Sequence, residues 1–366
     1  MEQRQKQESL LNSGGGVRES GIELFRIITM LVIVAHHYVV NSGVIQEVYS
    51  SPSLSANSIF MLLFGWGGKT GINCFVLITG YFMCKSNITL KKFLKLLLWM
   101  ETYKILFYAI FTLTGYQTFS IYSMVKALLP VTSVADGFGS AYLVFYLFIP
   151  FLNILINAMN KKQHLILMLL CIGVYTGLAS LFIIRVVFNY VTWFSVIYII
   201  GAYLRLYPEK WFNSNRLWGS MAVAALLISW LSVLAISYVT LRLKGTIMLQ
   251  DFFVSDSNKP LALLTAVCAF MFFKNVNIGY HKWINRIAAS AYGVLLIHAN
   301  SDTMRQWLWK DTLNNVGYYS TSYFWLHAII SVIGIYVICT LIDMIRIQTL
   351  EKPFFRWYDK KMKKEV

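Results

Sequence analysis

Charge is scarce in this chain. Only 13% of its 366 residues are Asp, Glu, Lys or Arg, about half the share found in a soluble domain. Proline is scarce as well, at six residues. Disordered and fibrous chains have other compositions, and both classes are excluded. The five cysteines, Cys74, Cys84, Cys171, Cys268 and Cys339, each lie in an apolar run. They make no C-x-x-C and no Cys/His ligand spacing, so neither a disulfide framework nor a zinc site is expected. They read as small buried hydrophobes. What is abundant is apolar surface: 57% of residues are hydrophobic, 16% are aromatic and the mean hydropathy is +0.59. A soluble core has no room for that much apolar area, which excludes a globular cytosolic protein.

Acidic residues are half as common as basic ones, 16 against 32, giving a net charge of +16. Such a balance suits nucleic acid in a soluble chain. In a chain this apolar it marks the cytoplasmic side of a membrane protein, and no nucleic-acid partner is expected. Ten apolar runs approach the length that crosses about 30 Å of hydrocarbon. They lie at 24–41, 59–83, 93–115, 140–159, 164–184, 190–207, 217–239, 260–274, 284–300 and 323–346. Spanning backbone must satisfy its own hydrogen bonds, so the pattern predicts an all-α membrane bundle of about ten transmembrane helices. Alternating the loops puts 22 Lys and Arg on the side of the termini, 7 on the other and 3 inside spans. The bias predicts cytoplasmic termini. Residues 1–20 form no signal peptide, since no short apolar segment follows the start. They are expected to be a disordered cytoplasmic tail, with a transmembrane domain over 21–348 and a basic tail over 349–366.

Ionisable side chains within a span are costly and point to function. Arg26 and His37 stand eleven positions apart in the first span. At about 100° per residue they share a face, separated by about 16 Å of rise. An arginine suits phosphate or carboxylate, and a histidine can take and return a proton near neutral pH. The plainer readings are a snorkelling anchor for Arg26 and a helix–helix hydrogen-bonding partner for the neighbouring His36. The second span holds Gly65-Trp66-Gly67-Gly68-Lys69-Thr70-Gly71-Ile72-Asn73. Its glycines admit close approach of backbone or ligand. No strand precedes them, so a nucleotide P-loop is excluded. Lys69 lies near the depth of His37, as a catalytic group or a paired lysine. Lys92 and Lys95 share one face where the third span begins, as interface anchors or as a grip on the phosphates of a cofactor. Glu101 and Lys104 are expected to pair at i,i+3. His298 in the ninth span and His327 at the start of the tenth are candidates for structural hydrogen bonds.

The order and spacing of these residues resemble acyltransferase family 3, bacterial integral-membrane O-acyltransferases of surface polysaccharides. The family's first helix carries Arg or Lys and then His, matched by Arg26 and His37. Cys74-Phe75-Val76-Leu77-Ile78-Thr79-Gly80-Tyr81-Phe82 resembles the run closing its second helix, with Thr79 in place of serine. Lys92 and Lys95 stand where the family has Arg-x-x-Arg, Ser290 to His298 resembles its Ser-Tyr-Gly-x-Tyr-Leu-x-His run, and Glu351-Lys352-Pro353 its closing Glu-x-Pro. The likeness spans about 18–355.

The resemblance implies transfer of an acyl group, in the first place acetyl, from cytoplasmic acyl-CoA to a sugar hydroxyl of a surface polysaccharide or its lipid-linked precursor. A capsule or exopolysaccharide is the expected setting, and the bacterial cytoplasmic membrane with its lipids the expected location. No metal is implied. His37 is the expected general base or acyl carrier. Arg26, Lys92 and Lys95 are expected to hold the CoA phosphates. Lys69, Asn73 and Tyr292 are candidates to stabilise the thioester oxyanion. Asn73, Tyr292, His298 and Glu351 are the candidates to touch substrate. The competing reading is a transporter or flippase for a lipid-linked glycan, which predicts inverted repeats that do not stand out. A non-catalytic scaffold would leave the Arg26/His37 register unexplained.

Overall fold

The computed structural model describes residues 20–362 apart from Pro52, Asp136 and Phe182. Every regular element among them is a helix. The helices are α1 (Ser20–Val40), α2 (Val44–Ser50), α3 (Ala56–Gly65), α4 (Gly68–Met83), α5 (Leu90–Leu113), α6 (Ile121–Leu128) and α7 (Phe138–Ala158). They continue as α8 (Lys161–Ile172), α9 (Tyr190–Leu206), α10 (Asn215–Lys244), α11 (Pro260–Asn275), α12 (Lys282–Ala288) and α13 (Ala291–His298). Last come the single turns α14 (Asp302–Arg305) and α15 (Asn315–Tyr318), then α16 (Phe324–Arg346) and α17 (Lys352–Met362).

Seven helical stretches among the described residues are long and apolar enough to cross a membrane: Ser20–Val40, Ala56–Met83, Leu90–Leu113, Phe138–Ala158, Lys161–Ser180, Asn215–Lys244 and Phe324–Met362. The other three expected spans coincide with shorter helices. Helices α9 and α11 have 17 and 16 residues, about 24–26 Å each and short of the hydrocarbon thickness. The ninth is broken into α12 and α13 at Ala289-Ser290. The expected tail over 1–20 lies outside the described residues except for Ser20, which opens α1. The expected basic tail over 349–366 is helical as far as it is described: a π-helical turn, Ile347–Glu351, joins α16 to α17.

Helix ends are written in the local sequence. Asn160 with Gln163 and Asn189 with Thr192 form capping boxes on α8 and α9, satisfying free N–H groups at each start. Gly245 closes α10 at φ 71°, a left-handed position that costs glycine nothing. Helix α1 is the hub. Its first half joins a core with α4, α7, α9 and α11 through Ile22 and Phe25. Its second half joins a core with α3, α13 and α16 through Met30, Val34 and Tyr38. Helices α4 and α9 cross closely: a Cβ at Gly201 would lie 2.8 Å from the Leu77 carbonyl oxygen, and one at Gly80 would lie 2.8 Å from that of Tyr198. Helices α8 and α10 lie outside, with Leu170, Leu231 and Leu243 exposed. An apolar belt of this kind suits lipid.

Candidate active site

Helix α1 is continuous from Ser20 to Val40, so Arg26 and His37 do share one helix about 16 Å apart. His37 is half-buried and meets His298 of α13, which is fully buried. His37 Nδ1 lies 2.9 Å from His298 Nε2, and His298 Nδ1 lies 2.6 Å from the Val294 carbonyl oxygen. The carbonyl can only accept, so His298 Nδ1 carries a proton. In the neutral imidazole Nε2 is then an acceptor, and His37 Nδ1–H donates to it. The remaining nitrogen of His37, Nε2, is left with a lone pair. The chain from Val294 through His298 thus fixes His37 in the tautomer a base or nucleophile requires.

Its neighbour His36 has a structural role. His36 Nδ1 donates to the Gly65 carbonyl at 2.6 Å, capping a carbonyl freed where α3 gives way to α4. A Cβ at Gly68 would sit 2.2 Å from the His36 ring, so the glycine-rich stretch admits the backbone of α4 against α1. Lys69 donates to the Tyr190 hydroxyl at 2.6 Å and pairs with Asp256 at 3.4 Å. It lines a small cavity together with His36.

Arg26 is held by Glu23, with Nη1 at 3.0 and 3.2 Å from the two carboxylate oxygens. Beyond it lies an aromatic and hydroxyl lining from α4, α7 and α13. The Tyr142 hydroxyl is 2.8 Å from that of Thr79. The Tyr142 and Tyr292 rings are 6.2 Å apart, and the Tyr292 hydroxyl is buried without a partner among the described residues. Residues from the first-, second- and ninth-span motifs therefore gather around the interior.

Lys92 and Lys95 stand apart from Arg26. They line a cleft of about 650 Å³ with Lys91, Glu351, Lys352 and Arg356, and Arg26 does not contribute to its wall. Arg26 is turned to Glu23 within the bundle, and the two lysines face the cleft. Glu351 pairs with Lys95 at 2.6 Å and with Arg346 at 2.9 Å, which makes it a wall of this cleft and a neighbour of Lys95. Asn73 is fully buried, and each end of its amide makes one hydrogen bond: the side chain donates to the Ser257 carbonyl and accepts from Trp193 Nε1. It ties α4 to α9 and to the loop before α11. His327 Nδ1 is hydrogen-bonded to the buried Tyr38 hydroxyl at 2.8 Å, and its ring stacks on Tyr318. Glu101 and Lys104 pair at 3.2 Å, at the expected spacing.

Sequence reasoning missed Asp343. One of its carboxylate oxygens accepts from Trp99 Nε1, the Tyr103 hydroxyl and Arg346 Nε, each at 2.8 Å. A carboxylate within the apolar run 323–346 was itself the signal, by the rule that singled out Arg26. Sequence reasoning also missed that His298 is the partner of His37.

No curated protein and no solved structure matches the chain. A family model described as an acyltransferase domain, that of acyltransferase family 3, matches residues 19–344, nearly the whole chain. The gathered motif residues and this match agree, and the chain belongs to acyltransferase family 3, a membrane acyltransferase.

Proposed function

We propose that the protein is an O-acyltransferase of the bacterial cytoplasmic membrane, moving an acetyl group from acetyl-CoA to a sugar hydroxyl of a cell-surface polysaccharide or its lipid-linked precursor. The observation that carries the reading is the oriented His37–His298 pair in a chain of this family. His37 Nε2 takes the proton of the acceptor hydroxyl as its oxygen attacks the thioester carbonyl. The tetrahedral intermediate collapses with cleavage of the C–S bond. The thiolate leaves and takes the proton back from His37, releasing CoA as the thiol and the sugar as its acetyl ester. Positive charge develops on His37 in this step. His298 supports it by accepting from Nδ1–H. Lys69 and the unpartnered hydroxyl of Tyr292 are the groups proposed to serve the oxyanion, and Tyr292 and His298 those proposed to line the substrate route. The cleft of Lys92, Lys95 and Glu351 takes the donor's phosphates, on the side that the excess of basic residues marks as cytoplasmic.

The test is consumption of acetyl-CoA by the purified protein with an envelope glycan extract. Release of CoA thiol with gain of acetyl on the glycan is expected. Movement of a lipid-linked glycan across the membrane without acetyl-CoA consumption would contradict the reading in favour of a flippase.

A further inference from the structure

The charged cleft has two walls of different origin. One is the start of α5, with Lys91, Lys92 and Lys95. The other is the π-turn and α17, with Gln348, Glu351, Lys352, Phe355, Arg356 and Asp359. The second wall lies beyond residue 344, where the family match stops. Two ion pairs join the walls, Lys91 to Asp359 at 2.7 Å and Lys95 to Glu351 at 2.6 Å. A buried ladder continues inward from the second pair through Arg346 to Asp343. The final helix is thereby held against α5, with the buried Phe355 ring beneath the Lys91 ammonium.

Five cations face two carboxylates here, and the pairs use up two of the five. Lys92, Lys352 and Arg356 have no carboxylate partner among the described residues. Lys92 donates to Ser86 and to the Asn87 carbonyl, Lys352 donates to Gln348, and Arg356 Nε donates to the Lys352 carbonyl. Lys352 and Arg356 are four apart on one helix face. Three uncompensated cations around a concave site of about 650 Å³ suit a ligand that is itself drug-sized and carries several phosphates.

We propose that α17 completes the donor site: Lys352 and Arg356 bind the phosphates of the nucleotide part of the acyl donor, opposite Lys92 on α5. This rests on the acyltransferase reading and adds to it a recognition element outside the family-matched region. An anionic lipid headgroup offers the same phosphate chemistry. The size of the cleft, about 650 Å³ between two helices, favours the soluble nucleotide.

The experiment uses the full chain in phosphatidylcholine nanodiscs. Coenzyme A is titrated calorimetrically against the wild type and the Lys352→Ala/Arg356→Ala variant. Both are also assayed with acetyl-CoA and with S-acetyl-N-acetylcysteamine, a thioester that carries no phosphate. A charged hydrogen bond lost per cation corresponds to a roughly tenfold or greater weakening. The expected result is that loss in CoA affinity, a matching rise in KM for acetyl-CoA, and unchanged turnover of the phosphate-free thioester. Unchanged CoA affinity overturns the proposal, as does an equal loss on both thioesters. Wild-type CoA binding that disappears in phosphatidylglycerol nanodiscs also overturns it, assigning the cleft to lipid. The acyltransferase reading fails separately, if the wild type transfers from neither thioester. Titration with CoA would still judge the role of α17 in that case.

Discussion

Replacing His298 by alanine isolates the tautomer lock from the base itself. His37 Nδ1–H loses its acceptor, and the Val294 carbonyl loses the imidazole but keeps its helical partner. An unmade hydrogen bond at a buried donor costs about 1–3 kcal/mol. In the wild type that cost falls on the wrong tautomer of His37, which would place two lone pairs face to face. At about 1.4 kcal/mol per factor of ten, the bias is roughly 5- to 150-fold. Losing that bias alone lowers the reactive population only a few-fold, but the bond from Nδ1–H to His298 also supports the imidazolium that forms in the step and, as a charged hydrogen bond, is worth about 1.5–3 kcal/mol, so His298→Ala should lower kcat by roughly 10- to 100-fold with little change in KM for acetyl-CoA. His37→Ala should lose the whole general-base contribution, about 10²–10⁴-fold. His298→Gln keeps an acceptor within reach of Nδ1–H and should lose less than alanine does. The assay is thiol release from acetyl-CoA by protein in nanodiscs, with an envelope glycan extract as acceptor. A His298→Ala enzyme within twofold of the wild-type rate, or a glutamine variant as slow as the alanine one, would refute the argument.

Three further outcomes follow from packing and charge, each read as a thermal unfolding midpoint of the detergent-purified protein. Gly68→Ala should destabilise by about 1–3 kcal/mol, because the new methyl meets the His36 ring at 2.2 Å, whereas Gly173→Ala meets nothing within 4 Å and should leave the midpoint unlowered. Asp343→Asn should cost about 3–5 kcal/mol, since Arg346 is only 4% exposed and loses the carboxylate at 2.8 Å; an unchanged midpoint would mean that Glu351 alone suffices. Arg26→Ala leaves the buried Glu23 carboxylate unpaired, and because the Arg26 side chain is 28% exposed the loss should be about 1–3 kcal/mol. Adding Glu23→Gln should recover most of it.

The helices were legible because their signal is local. Long apolar runs and the glycine break before Lys69 lie within a few positions of what they control. The short α9 and α11 and the broken α12–α13 element were less so, since apolar composition does not register where a helix stops short of the membrane thickness. Arg26 and His37 could be found because one helix carries both and 3.6 residues per turn sets their register. The His37–His298 bond could not, because it joins positions 261 apart and rests on how α13 packs against α1 and α16. Asn73 shows the reverse case. A buried amide beside glycines looks like a ligand in sequence, and only the positions of Trp193 and Ser257 reveal that both of its ends are occupied. The second wall of the basic cleft is hidden for a similar reason: Lys352 and Arg356 read as a terminal charge run until Asp359 and Glu351 are seen to dock on α5.

The central claim is that His37 carries acyl transfer to a surface glycan. The most direct measurement is the acetyl content of surface polysaccharide, read by mass spectrometry, in a host that lacks its own enzyme and expresses either the wild type or His37→Ala. At equal levels of membrane protein, the wild type should restore acetylation and the alanine variant should leave the glycan bare. Undiminished acetylation by His37→Ala would contradict the account.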